Sequence, residues 1–505
     1  MLLAIHFARL GPYHLARLRS ACEVLMPLGW RVLAFEVAGS DATYEWERSP
    51  AGEGGCERVT VFPDGVFERI PPSEMRRGIV RELDRLRPDA VAIAGWGTVD
   101  ARACLEWCQK HQAKAIVMSE TRAADGRRVW WKEWVKSRIV RRFDAALCGG
   151  GSHKRYLMQL GMPEERIAYG YNIVDNEFFA KAKKSGLQDH GTMGAQESRI
   201  ECGTTKDTNL HEWGAGSREI GEEAGLTTEC TEVEAGSRLS EQAGAAFSNP
   251  LTSEPVGDCE NSSLNRSAIA PASSYASMHS LPATAQEAFA GSYFLASNRF
   301  VERKNLGRLI EAYAKYVATS RSSGLGFREK KKPDVWPLVL LGGGELKGEL
   351  MALCEELGVQ VFIGGGSENL KLNSYKLKTP AEGGLVVFAG FRQIAELPAF
   401  YAGAGAFVHP ALEEPWGLVI NEAMASGLPV LSSRNVGAAE ELVVDAETGY
   451  VFDPMNIEEM ADAMAKVVRL PSEARSRMGR SAREMVECKV PTRAFGEGLA
   501  KCLCC

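Results

Sequence analysis

No run of about 18 apolar residues occurs in the chain, so no membrane-spanning helix is predicted. The opening Met1-Leu2-Leu3-Ala4-Ile5 meets Arg9 and Gly11 too soon to build the apolar core of a secretion signal, and a cytoplasmic protein is the expectation. Paired Cys-x-x-Cys sets at zinc spacing are missing as well. The 13 cysteines are scattered through apolar stretches, as at Cys148 and Cys354, and read as reduced, buried thiols. Cys104, Cys108 and His111 share a helical spacing but have no evident fourth ligand. Asp-x-Asp occurs nowhere, which removes the compact acidic grip on a divalent cation, and no metal or other cofactor is expected. An excess of basic charge is also lacking: the formal net charge is −6, so a nucleic-acid partner is not expected.

What is present is a rhythm of short apolar runs alternating with amphipathic stretches, the mark of βα units in a parallel sheet. Leu2–Phe7, Arg31–Phe35, Ala90–Ala94, Ala115–Met118 and Ala145–Cys148 are the predicted strands of a first doubly wound domain, residues 1–181. From 182 to 290 Gly, Ser, Thr, Glu and Ala dominate and no period persists, so a disordered insertion or linker is expected there. The rhythm resumes at Tyr293–Ala296 and continues through Leu338–Leu341, Val386–Ala389, Ala406–Val408 and Pro429–Leu431. These predict a second doubly wound domain, 291–485, interrupted by a polar stretch from Gly364 to Gly384 and followed by a tail, 486–505. At 505 residues the chain exceeds one ordinary core, and two domains leave a cleft between them.

The densest signal is Glu414-Pro415-Trp416-Gly417-Leu418-Val419-Ile420-Asn421-Glu422, flanked by the apolar runs ending at Val408 and beginning at Pro429. It reads as strand, acidic loop, helix, strand. Pro415 suits a first helical position, and the backbone N–H groups of Trp416, Gly417 and Leu418 would then open a helix N-terminus toward an anion. A carboxylate facing an anion is unfavourable, so Glu414 and Glu422 are assigned to neutral hydroxyls, which an ionised carboxylate accepts strongly. The alternative is that Glu414 caps the helix and Glu422 lies on a solvated face.

In this context the pair resembles the E-x7-E signature of the family-4 retaining glycosyltransferases, which have the GT-B fold. Gly437–Val443 and Gly449–Pro454 resemble the family's following loop, with Ala438 in place of its second Gly. Asn298–Asn305 resembles its Arg and Lys pair, Gly342–Glu345 its Gly-rich turn, and Tyr169–Phe179 its interdomain hinge, with Ile173 where the family has Gly. The resemblance implies an α/β protein of two Rossmann-like domains facing across a cleft, acting as a metal-independent retaining transferase on a nucleotide-diphosphate sugar. By it, Arg299 and Lys304 grip the diphosphate, Glu422 holds the ribose, Glu414 contacts the transferred sugar, and Gly342 and Gly344 belong to the donor site. Backbone around Gly390 and Phe391 is expected at the nucleotide base. On the acceptor side, Gly11 and His14 follow the first strand where the family has a Gly-rich loop, and Glu120 follows a later strand.

Three readings compete with a transferase: a sugar-nucleotide epimerase of GT-B architecture, a phosphorylase of similar architecture, for whose pyridoxal lysine there is no local signature, and a non-catalytic binding protein, against which the presence of Arg299, Lys304, Glu414 and Glu422 argues. The acceptor is expected to be a glycan, a lipid-linked molecule or a small molecule. Arg127–Lys136, with Arg138, Arg141 and Arg142 beyond it, mixes three Trp with basic residues, the make-up of an interfacial helix. Peripheral contact with a membrane is therefore one expectation, and Trp side chains packed on the sheet the other.

Overall fold

The computed structural model describes residues 1–42, 46–48, 54–126, 128–186, 292–322, 335–364 and 384–505. The expected insertion at 182–290, apart from the end of a helix that runs to Gly186, lies outside the described residues, as does the Gly364–Gly384 stretch apart from its two ends.

Seven parallel strands form the first sheet: β1 (Leu2–Phe7), β2 (Arg31–Ser40), β3 (Glu57–Val66), β4 (Ala90–Ala94), β5 (Lys114–Ser119), β6 (Ala145–Cys148) and β7 (Ile167–Tyr169). Their order is β3-β2-β1-β4-β5-β6-β7. A second parallel sheet holds β8 (Phe294–Ser297), β9 (Leu338–Leu341), β10 (Gln360–Ile363), β11 (Leu385–Gly390), β12 (Ala406–His409), β13 (Val430–Ser433) and β14 (Gly449–Phe452), in the order β10-β11-β9-β8-β12-β13-β14. Helices cover both faces of each sheet, which is why central strands such as β1 and β9 are buried at every position and read as unbroken apolar runs. The protein is thus α/β, with two doubly wound Rossmann-like domains. In each sheet the strand order reverses once, between β1 and β4 and between β8 and β12, and a ligand crevice opens beyond the strand ends at such a point.

Both domains belong to one compact unit. Residues 486–505, expected as a tail, instead finish the Ser472–Lys489 helix and form a further helix, Ala494–Cys504. That helix crosses back onto the first domain: Phe495 and Leu499 are buried, the Gly496 N–H donates to Ser20 Oγ at 3.0 Å, and Lys114 Nζ donates to the Leu503 carbonyl at 3.0 Å. Its apolar face has to be covered, and the Pro12–Leu25 helix covers it. At the hinge Ile173 and Val174 are buried, and the Asn172 carbonyl accepts from Asn421 Nδ2 at 3.1 Å, tying the connection to the motif helix. Cys104 and Cys108 sit in the first domain's core, while His111 turns toward Asp84 at 3.3 Å and stacks on Trp107.

Candidate active site

The chain leaving β8 carries Asn298, Arg299 and a single tight turn over Glu302–Lys304. Asn305 closes it in the left-handed conformation and clamps it in place, donating from Nδ2 to the carbonyls of Pro410 at 3.0 Å and Pro454 at 2.8 Å. The Gly342 turn backs the same loop. A Cβ at Gly342, whose φ is 128°, would fall 2.0 Å from the Asn298 carbonyl oxygen, so only glycine lets the β9 turn approach so closely. The expected donor residues Gly342 and Gly344 therefore lie against Asn298 and Phe300, as backbone support for the basic loop.

That loop presents Lys304, buried, together with Arg303 to Glu414. Lys304 Nζ donates to Glu414 Oε2, and Arg303 donates to the same oxygen at 2.9 Å. Burial alone would push the Glu414 carboxyl up, but Lys304 and Arg303 hold it below its ordinary value. Arg299 is exposed beside them, close enough for its charge to act on Lys304. Two cations thus converge on one carboxylate, with Arg299 beside them. Glu414, expected to meet sugar hydroxyls, is engaged in the ligand-free protein with the cations expected to meet the diphosphate.

Glu422 lies in the Leu418–Ala425 helix, fully buried. Its Oε2 accepts from the Tyr401 hydroxyl at 2.6 Å, whereas Oε1 has no hydrogen-bond partner among the described residues. Burial lifts its pKa to about 7, against the pull of the Tyr401 and Tyr13 hydroxyls. The solvated face offered as the bland reading of Glu422 is excluded. His409, at the end of β12, is equally buried, with neither ring nitrogen bonded. Burial, then Lys304, lowers its pKa to about 3, so the ring is neutral.

The motif differs from expectation at its start. The helix begins at Leu418, not Pro415, and Gly417 precedes it with φ 96°. Two bonds hold the preceding stretch extended: the Gly437 N–H donates to the Glu414 carbonyl at 3.1 Å, and the Ala438 N–H to that of Trp416 at 2.9 Å. Trp416 is accordingly turned away from the crevice toward the first domain. Its ring is buried, donates to Asn421 Oδ1 at 2.9 Å, and packs near His153 at 5.7 Å, whose Nε2 lies 3.0 Å from the Pro415 carbonyl. Phe391, expected near a base, meets Trp46 of the first domain edge-on at 4.9 Å, while the space above Gly390 is open.

On the first domain a cavity of 430 Å³ opens beyond the ends of β1, β2 and β5. All three acceptor-side candidates, Gly11, His14 and Glu120, line it, and Leu418 reaches it from the second domain. His14 is partly committed: Nδ1 accepts from the Gly11 N–H at 2.8 Å, and burial, helped by Arg17 and Arg9, lowers its pKa to about 3. Such a ring is a weak base. The protein packed around Glu120 raises its carboxyl, Arg17 pulls it back, and Glu414 across the cleft raises it further, so the structure does bring Glu120 and Glu414 within electrostatic reach. A larger recess of 570 Å³ between the Pro72–Leu86 and Val99–His111 helices contains none of these residues.

Three positions were not picked out in sequence. Arg303 stands beside Lys304 in sequence, but the resemblance that marks Arg299 and Lys304 assigns it no role. His409 gives no signal, because one His at a strand end is usually structural. Arg122, buried, donates from one nitrogen to the carbonyls of Glu414 at 2.7 Å and Asn435 at 2.9 Å, clasping the donor loop from the opposite domain.

The family described as glycosyl transferases group 1 matches residues 286–485, the stretch that carries the basic loop and both glutamates. This domain is a group 1 glycosyltransferase domain. The chain is 36% identical over 128 residues to a sulfoquinovosyl transferase of Arabidopsis thaliana, covering 25% of this chain and 24% of that one. To a lipopolysaccharide core biosynthesis glycosyltransferase of Rhizobium meliloti it is 31% identical over 174 residues, 34% and 38% of the two chains. The chain thus spans well under half the length of these relatives. Beyond the group 1 domain, the whole fold aligns with HepE of Anabaena in complex with UDP-glucose, at TM-score 0.58 and 13% identity, covering 100% of this chain and 99% of that one. A sucrose-phosphate synthase from Thermosynechococcus elongatus aligns at TM-score 0.56 and 14% identity over 99% and 98% of the chains. These alignments establish the two-domain GT-B architecture. Among the described residues no helix is long and apolar enough to cross a membrane.

Proposed function

We propose that the protein transfers a hexose-type sugar from a nucleotide-diphosphate donor to a hydroxyl acceptor, with retention of configuration and without a metal. The observation that carries this reading is the convergence of Arg303 and Lys304 on Glu414 at the end of β8, opposite Glu120, with Arg299 close enough for its charge to act on Lys304. Arg303 and Lys304 against one carboxylate leave positive charge for a diphosphate, and with Arg299 beside them they neutralise the leaving group as the glycosidic bond breaks, a task that a divalent cation performs elsewhere. Donor binding draws Lys304 and the arginines onto the phosphates and frees Glu414 for sugar hydroxyls. The unpaired Oε1 of Glu422 is an acceptor for a ribose hydroxyl. The acceptor enters from the 430 Å³ cavity, whose wall carries His14 and Glu120. With His14 held neutral and weakly basic, a donor phosphate oxygen takes the acceptor proton as the new bond forms on the face the leaving group departs. HepE, with the same fold, has been crystallised with UDP-glucose, and a uridine diphosphate sugar is the first donor to try.

A thermal-shift screen of sugar nucleotides tests the donor half, since a ligand that binds the folded chain raises its melting temperature with the logarithm of occupancy. Stabilisation by at least one sugar nucleotide, lost in Lys304→Ala, is expected; no shift with any of them would defeat the reading. Donor incubated alone separates transferase from epimerase, because only the epimerase converts it without an acceptor.

A further inference from the structure

The Trp130–Val140 helix follows the loop that carries Glu120 and Arg122. Its inner face is fixed. Glu133 accepts from the Tyr156 hydroxyl and from Lys136, both at 2.8 Å, Ser137 Oγ donates to the Leu160 carbonyl at 2.7 Å, and Val140 is buried. With 3.6 residues per turn, that arrangement turns Trp131, Trp134, Val135 and Arg138 to the opposite side, and Trp130 stands on the flank at the helix start. Trp130 is 81% exposed, Trp131 51% and Trp134 54%. The expectation that these rings pack on the sheet is therefore not met. Three exposed Trp on one helix form an unusual surface for a protein in water, where an isolated apolar residue is ordinary but a contiguous aromatic patch marks a contact site.

The charge on this surface has one sign. Between 130 and 142 the basic residues on it are Lys132, Arg138, Arg141 and Arg142, while the one acid, Glu133, is turned inward and paired with Lys136. Lys132 lies over the Trp131 ring at 5.5 Å and Arg138 over the Trp134 ring at 4.1 Å, so cation and aromatic share each site. We infer that this helix lies in the headgroup layer of an anionic lipid surface, with its three Trp at the acyl boundary and its basic residues among the phosphates. Trp favours that layer because its ring is apolar and its N–H wet. A lipid surface there stands one loop away from Glu120, where a lipid-linked acceptor would be presented. The inference deepens the proposed function by naming where the acceptor is met, and it rests on that reading only for the acceptor.

Flotation of the full chain with vesicles tests it without nucleotide sugar or turnover, so its failure and that of the transferase reading remain distinguishable. The protein is expected to float with phosphatidylglycerol–phosphatidylcholine vesicles at low salt and to stay behind with phosphatidylcholine alone. The W130S/W131S/W134S variant, altered only at exposed positions, should lose affinity about a hundredfold or more. K132E/R138E/R141E should lose about fivefold for each cation removed, or more, and carries the test should the Trp variant fail to fold. Absence of wild-type flotation with anionic vesicles at low salt overturns the inference, and so does unchanged flotation of either folded variant; the face would then be one for a protein partner or another surface would hold the lipid.

Discussion

At the β8/β12 switch point two cations, Arg303 and Lys304, meet a single carboxylate, whereas at the β1/β4 switch point opposite charges are matched: Arg9 pairs with Asp41 at 2.9 Å, and Arg17 acts on Glu120. The two crevices occupy equivalent places in equivalent sheets. The unbalanced one suits a ligand that brings its own negative charge, and the balanced one suits a neutral, hydroxyl-bearing ligand whose identity is set by shape and hydrogen bonds. One fold, used twice, thus carries two crevices that differ in side-chain charge.

The sharpest way to break this comparison is to remove one cation from each crevice. Lys304→Ala should lower kcat by roughly 10² to 10³, the scale of losing one preorganised electrostatic contact, while Arg17→Ala should act mainly through acceptor KM. Equal effects on kcat in steady-state assays would erase the distinction between the crevices. Glu422 contrasts the two glutamates of the motif. Burial lifts its folded-state pKa from the ordinary 4.5 to about 7, so stability tied to its protonated form is complete below pH 4.5 and lost as pH rises through 7. Glu422→Gln should therefore be more stable than wild type by about 3 kcal/mol at pH 8 and equal to it at pH 4, as read by urea unfolding of the ligand-free protein. Its donor KM should rise. A flat difference across pH would show that Glu422 ionises as freely as an exposed acid.

Smaller effects refine the picture. Arg122→Ala leaves two carbonyls without their charged donor and should lower stability by about 2 kcal/mol, raising donor KM as the Glu414 loop loosens. A variant with wild-type unfolding and kinetics would show that the clasp between the domains is idle. Arg299→Lys keeps the charge but loses the fork, and a drop in kcat/KM of about tenfold is expected from the missing bidentate contact; full activity would reduce Arg299 to a diffuse positive charge.

Legibility followed coverage. The ten strands predicted from apolar runs all exist, and the four that were missed, β3, β7, β10 and β14, are the four sheet edges. An edge strand has a neighbour on one side alone, tolerates polar positions, and so leaves no unbroken run; β10 is exposed or half-buried throughout. The same reasoning explains the site. Glu414, Glu422, Arg299 and Lys304 were visible because they lie in short motifs whose spacing is local. His409, Arg122 and Tyr13 were not, because each acquires meaning from a partner distant in sequence. Trp416 was visible but misassigned: its place in the motif was read as a ligand contact, and the fold uses its bulk between the domains.

By itself the sequence determined two parallel sheets, their central strands and the Glu414–Glu422 motif, since these depend on periodicity and on neighbours within a few positions. Tertiary structure alone decided that the Ala494–Cys504 helix belongs with the first domain, that Lys304 and Glu414 face each other, and that three Trp rings are exposed. Each of these is settled by which surfaces remain uncovered once the cores have packed. That depends on every element at once, and no local pattern records it.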